Sequence, residues 1–275
     1  MGGDRAVKPR ICFVAGTKGG VGKTFAACQM VAAAGELGLS VAAFDSDSEN
    51  STLKNMLPSQ TEFLDDTKDD YPLDKVISAA FHEPAPDLIL VDMKAGTSRS
   101  TMDWFAAVPW AELLPKAEIC ILCSVTVDPD ASRTLSPWLV YFEGLQIPVE
   151  YIIIRNAKDG KDFSFYSGMI PKSLADLKLA KHTEIEFPAM DKNYASILNN
   201  ARLTLKAAVS ADRDRTSLNT VMAQARLLNY YHAFSDPLIT LMARWIPEEE
   251  QTDSRKQVIM QAQKRIQLRN GLLVK

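Results

Sequence analysis

Residues 16–24 read GTKGGVGKT, between the apolar run 11–15 (ICFVA) and the alanine-rich stretch 25–37 (FAACQMVAAAGEL). An apolar run ending in glycine suits a buried parallel strand. The alanine-rich stretch suits a helix, closed by Gly38 in the usual manner of a C-terminal glycine. The loop between them is built to hold an anion. Gly19, Gly20 and Gly22 let the backbone approach without a Cβ in the way. Successive amides then curl into a nest, and the helix that follows adds its partial positive charge. Lys23 puts an ammonium on the β- and γ-phosphates of a nucleotide, and Thr24 offers a hydroxyl to Mg²⁺. Val21 and Phe25 complete the set of residues expected against the nucleotide. A plain glycine turn would leave both Lys18 and Lys23, and Thr24, without a purpose. The stretch from Lys18 to Thr24 therefore reads as a phosphate-binding loop for ATP with Mg²⁺.

Working outward, further apolar runs follow at 41–44, 88–91, 117–125 and 149–154, and helical stretches such as 131–144 separate them. Continuous apolar strands alternating with helices predict an α/β fold with a doubly wound, mainly parallel sheet flanked by helices. Segment 57–87 breaks the pattern with eight acids, two lysines and four prolines. It reads as a solvated insertion holding one short helix near 73–81, or else as a face for a partner. From about Asn199 onward the chain reads as helical: 203–231 as one long helix or two in series, and 248–273 as a final polar helix. The expected division is a P-loop ATPase domain over 1–245 and a helical C-terminal extension over 246–275.

Two strand ends carry acids. The second strand ends FDSDSENST (44–52), with Asp45 and Asp47, and the third ends LILVDMKAGTS (88–98), with Asp92. In open α/β sheets ligands bind at the carboxyl ends of the strands. Asp47 is expected to orient or activate water or to sense Mg²⁺; the alternative is a helix cap, with Ser46, Asp47 or Ser48 opening the next helix. Four apolar residues followed by Asp92 form a Walker B pattern, whose acid holds Mg²⁺.

The loop departs from G-x-x-x-x-G-K-[ST], because Thr17 stands where the first glycine belongs and an extra lysine, Lys18, follows. With K-G-G-V-G-K-T it resembles the deviant Walker A loop of the ParA/MinD family. The D-x-D of Asp45 and Asp47 is similar to that family's switch I, and the D-x-x-A-G spacing from Asp92 to Gly96 resembles its switch II. The resemblance implies that Lys18 reaches across a dimer interface to the partner's nucleotide, so that ATP bridges a homodimer. It implies that the Gly96 amide meets the γ-phosphate and that Asn156, after YIIIR, contacts adenine, although Asn156 could equally be a turn residue. Pro188, in EIEFPAMD, resembles the family's nucleotide-side loop, whereas Lys94 stands where the family has proline. The implied catalytic set is Lys18, Asp47 and Asp92. The implied activity is a slow ATPase switch, stimulated by a protein activator or cargo adaptor, that positions plasmid or chromosomal DNA or a protein machine. An accessory ATPase of conjugative DNA transfer would share every motif. A metal-cluster carrier would need ligands the sequence does not offer.

The remaining constellations point elsewhere. Cys120 and Cys123 make a C-x-x-C, but on one apolar strand residues three apart face opposite ways and could not share a metal. His82, His182 and His232 have no ligand spacing. The four cysteines lie in apolar stretches, as buried thiols in a reducing compartment would. Residues 1–10 are polar, without a signal-peptide core. The expectation is a soluble cytoplasmic protein. With a net charge of −3, a globally basic nucleic-acid binder is disfavoured. A local patch of Arg202, Lys206, Arg213 and Arg215 could still hold non-specific DNA in an ATP dimer, unless those charges pair with Asp212 and Asp214. The final helix carries Arg255, Lys256, Lys264, Arg265, Arg269 and Lys275 among few apolar residues. A helix packed on the domain is expected there, ahead of a partner or nucleic-acid contact, and a membrane anchor is the least expected role.

Overall fold

The computed structural model describes residues 8–16, 18–47, 50–94, 98–210 and 216–273. Seven strands form one sheet: β1 (Arg10–Ala15), β2 (Val41–Asp45), β3 (Thr61–Phe63), β4 (Leu88–Asp92), β5 (Glu118–Val125), β6 (Val149–Asn156) and β7 (Lys181–Phe187). Their order is β3-β2-β4-β1-β5-β6-β7, and every pairing is parallel. The central strands are apolar on both faces because helices cover both sides.

On one face Cys12, Val14, Leu90 and Leu122 pack beneath α1 (Lys23–Glu36) and the long helix α11 (Val221–Ala243). On the other, Phe13, Val91, Ile121 and Ile153 meet α3 (Asp74–Ala80), α4 (Ser98–Ala107), α7 (Ser136–Gly144) and α8 (Ser164–Ala175). Cys120 belongs to the first core and Cys123 to the second, the arrangement strand alternation requires. Short helices α2 (Thr52–Met56), α5 (Trp110–Leu113), α6 (Pro129–Arg133), α9 (Lys192–Asn200) and α10 (Leu205–Ala208) complete the layers, and α12 (Asp253–Leu273) closes the chain.

Several expectations need correction. The stretch 131–144 is two helices, α6 and α7, separated at Thr134–Leu135 with a proline in the first turn of α7; that ring suits a helix start and not an interior. The long helix does not run over 203–231. It starts at Val221, capped by the Thr220 side chain, and continues through Pro237 to Ala243. The acidic segment 57–87 does hold the expected short helix, α3, but it also adds strand β3 to the sheet edge. Leu64, Val76 and Ala80 from this segment are buried in the second core, and none of its acids is buried. Strand β7 was not among the strands expected from the sequence. It is an edge strand with only Ile185 and Phe187 buried, so its sequence never shows a continuous apolar run.

The polar final helix, α12, packs on the domain. Ala262 is fully buried in the first core. Arg255 donates to the carbonyls of Leu37, Gly38 and Glu250. Arg265 and Arg269 both reach Asp236 of α11, which is wholly buried. Among the described residues no helix is long and apolar enough to cross a membrane.

Candidate functional site

The loops that follow β1, β2, β4, β5 and β6 all emerge at the carboxyl edge of the sheet, where an open parallel sheet presents its ligand site. The loop after β1 turns into α1 through Gly20 and Gly22, both in the left-handed region at φ 72° and 97°. Gly22 precedes the first helical residue, and the Ala26 amide donates to its carbonyl. Beyond its backbone conformation, Gly22 has no room for a side chain: a Cβ there would stand 2.4 Å from the Asn156 amide nitrogen.

Asn156 explains that crowding. Its Nδ2 donates to the Val21 carbonyl at 3.0 Å, and its Oδ1 accepts from the Lys158 amide at 3.2 Å. Ser124, at the end of β5, donates to the same Val21 carbonyl at 2.8 Å. The loop is thus held from beneath by two side chains, one from β5 and one from β6. Asn156 thus lies against the loop and braces it. Ser124 was not singled out from the sequence, because a serine near the end of an apolar strand carries no local signal.

The two loop lysines take different directions. Lys23 is 8% exposed and its ammonium donates to the Lys18 carbonyl at 3.0 Å. Burial lowers its pKa, against the attraction of Asp92 and Asp47. The Lys18 side chain, 39% exposed, leaves the nest and pairs with Asp128 at 3.1 Å and Asp130 at 3.8 Å, at the start of α6. The hydrogen bond and charge of Asp128 raise its pKa. Asp128 and Asp130 were not anticipated; they sit far away in sequence and are brought in by the β1–β5 pairing.

The three acids divide their work. Asp45 and Asp92 stand side by side in adjacent strands. Asp45 is fully buried and accepts from the amides of Asp47 and Lys54, each at 2.9 Å. It fastens the turn from β2 into α2, and burial raises its pKa. Asp47 accepts from the Asn50 backbone and side-chain amides, both at 3.2 Å, so in this conformation it shapes the turn. The cap position of α2 belongs to Ser51. Asp92 is 3% exposed and one of its oxygens is buried without a partner. Burial pushes its pKa up to about 7, with Asp45 and Asp47 adding to the rise and the Thr24 hydroxyl and Lys23 opposing it. Ser46 stitches the two acidic segments together. Its hydroxyl donates to the Asp92 carbonyl at 3.2 Å and accepts from the Lys94 amide at 3.1 Å. A proline at position 94 has no N–H to give, so the lysine permits a bond that the family's usual residue could not make. Gly96 lies outside the described residues, as do Arg213, Arg215 and Lys275. Of the expected basic patch, Lys206 pairs with Glu36.

The chemistry of this edge fits a nucleoside triphosphate with a divalent cation. A buried carboxylate oxygen with no partner, beside two further acids and a threonine hydroxyl, is a group short of a cation. The glycine nest with Lys23 supplies the matching anion site. A cavity of about 370 Å³ opens beside Gly22, Thr24 and Phe25 and is lined also by Asn156 and Pro188.

A family model described as the CobQ/CobB/MinD/ParA nucleotide binding domain matches residues 12–272. Among curated proteins, none matches the chain in sequence. The solved structure of the septum site-determining protein MinD of Pyrococcus horikoshii, complexed with Mg-ADP, is 15% identical, with 86% of this chain and 98% of that one covered at a TM-score of 0.53. MinD of Aquifex aeolicus is 17% identical, with 87% of this chain and 99% of that one covered at a TM-score of 0.49. At such identities the Pyrococcus likeness establishes the fold.

Proposed function

Because this chain belongs to the CobQ/CobB/MinD/ParA family of nucleotide-binding domains, we propose that it is a dimerising ATPase switch of ParA/MinD type. ATP binds on the loop from Lys18 to Thr24, two copies close around it, and hydrolysis releases them. The observation that supports this reading is the divergence of the two lysines: Lys23 faces inward on the loop while Lys18 is carried on its rim. A lysine on the rim adds nothing to its own nest, which supports a role toward a nucleotide held by a second copy.

The residues then have separable tasks. Phosphoryl transfer asks the protein mainly for positioning and charge neutralisation. The amides of Gly19, Gly20 and Gly22 and the Lys23 ammonium hold the β- and γ-phosphates. Thr24 and Asp92, with Asp47 beside them, would hold Mg²⁺, which when bound neutralises phosphate charge. Asp47, released from Asn50, would orient the attacking water. The cations the structure places on the loop are Lys18 and Lys23. Hydrolysis in one copy is therefore slow, and a second copy and a partner protein speed it. The cargo is a protein complex or DNA whose position the switch controls. DNA binding that appears only with ATP and weakens steeply with salt would mark DNA as the surface it works on.

The test compares Lys18→Ala with Lys23→Ala. Losing the charge-assisted contact of Lys23 costs about 1.5–3 kcal/mol, or roughly 10- to 150-fold in ATP affinity. Lys18→Ala should bind ATP as the wild type does, yet remain monomeric by light scattering with ATP and hydrolyse it more slowly. A Lys18→Ala protein that dimerises with ATP and turns over normally would reduce the protein to a generic P-loop ATPase.

A further inference from the structure

The acidic segment 57–87 leaves a groove of about 930 Å³ against α4. Leu64, Met93 and Val108 are buried in its lining, with Ile77 and Trp104 half-buried beside them. Tyr71 lines it too, with 66% of its surface exposed. The Trp104 indole donates to Asp74 at 2.8 Å and ties α4 to α3. Charge enters from the exposed part of the lining. Asp66, Asp70, Asp74 and Asp103 stand there against one cation among the described lining residues, Lys94. The lysines of the acidic segment are used elsewhere, Lys68 on Asp65 and Lys75 on Glu62. An apolar surface bordered by carboxylates is complementary to a protein segment that carries Lys or Arg beside apolar side chains. The same charge repels nucleic acid and anionic lipid.

The groove also touches the nucleotide edge of the sheet. Ser46 and Lys94 line it. Ser46 lies between Asp45 and Asp47, and Lys94 follows Asp92 on the same segment. The Ser46 hydroxyl joins the two segments through the Asp92 carbonyl and the Lys94 amide. We propose that this groove docks a basic segment of a partner protein, anchored by apolar side chains, and that docking is linked to the nucleotide site through Ser46 and Lys94. The docking stands by itself, and the linkage rests on the ATP reading above. Such linkage is reciprocal: whatever factor ATP applies to the affinity for the segment, the segment applies to the affinity for ATP.

The experiment selects a random-peptide phage library on the wild type and measures the selected peptides by fluorescence anisotropy. They should combine Lys or Arg with apolar residues, and their affinity should fall as salt rises from about 0.05 to 0.5 M. The variant Asp66→Lys/Asp70→Lys/Asp103→Lys changes exposed side chains, so it should melt like the wild type. It should bind the peptides at least about tenfold more weakly, because reversal turns each attraction into repulsion. Asp103→Lys alone, on α4, should weaken them about two- to fivefold, and serves if the triple variant does not fold. Acidic or uncharged peptides, no enrichment at all, or wild-type affinity in the charge-reversed variants overturns the docking. Mg-ATP should change the wild type's affinity for the peptides by about fivefold or more, and Ser46→Ala should shrink that factor. Equal peptide affinities with and without ATP, in a protein that binds ATP, overturn the linkage, and an unchanged factor in Ser46→Ala overturns its route through Ser46. A wild type that binds no ATP sinks the ATPase reading and the linkage with it, while the docking stands or falls on the charge-reversed variants.

Discussion

Gly22→Ala is the substitution on which the geometry of the phosphate loop makes the most exposed claim. Two costs can be worked out separately. The alanine must adopt φ 97°, in the left-handed region, which costs an L-residue about 1–2 kcal/mol. Its Cβ would also stand 2.4 Å from the Asn156 amide nitrogen, too close for the two to coexist. Asn156 is buried, so moving it breaks its bonds to Val21 and Lys158, at about 1–3 kcal/mol. Ser124 still satisfies the Val21 carbonyl, which limits the damage. Together these amount to about 2–5 kcal/mol of stability, read from urea denaturation without nucleotide. A double-mutant cycle isolates the contact. Asn156→Ala alone should cost about 1–3 kcal/mol, and in its presence the clash is gone, leaving only the backbone term for Gly22→Ala. The pair should thus be less damaging than the sum of the singles by about 1–3 kcal/mol. Additivity to within about 0.5 kcal/mol would mean that Asn156 does not brace the loop, and the account of this site would be wrong.

Two further predictions concern charge. Asp92 holds its proton up to about pH 7 in the fold and releases it near pH 4 when unfolded. Between those values the folded chain binds the extra proton, so the stability of the metal-free protein falls as pH rises through that window. A gap of about three pH units is on the order of 4 kcal/mol. Asp92→Asn should remove most of the slope between pH 5 and pH 7.5 in urea melts with EDTA; parallel curves for the two proteins would refute the assignment. The second prediction concerns α12. Replacing both Arg265 and Arg269 by methionine strands the buried Asp236 carboxylate, at about 3–5 kcal/mol, and should expose α12 to protease. Adding Asp236→Leu should restore most of the loss, and a methionine pair that melts like the wild type would show that α12 is not held by this charge.

What could be read from the chain alone follows from how far apart the interacting residues lie. The phosphate loop was legible because its glycines, two lysines and threonine act together within nine residues, 16–24. The five strands 10–15, 41–45, 88–92, 118–125 and 149–156 were legible because burial on both faces writes an unbroken apolar run. The two edge strands were not. β3 is three residues long, and β7 alternates polar residues with a buried Ile185 and Phe187, so neither carries the continuous signal of a central strand. The same distinction divides the site itself. Asp45 and Asp47 look equivalent in FDSDSENST, and only the pairing of β2 with β4 reveals that Asp45 stands beside Asp92 and is used up by backbone amides. The partner of Lys18, the brace under Val21 and the anchor of α12 all join segments that are distant in sequence, so no local pattern announces them. The phosphate loop is encoded locally by backbone conformation, whereas its braces and counter-charges come from tertiary packing, which is why the first was readable from the sequence and the rest was not.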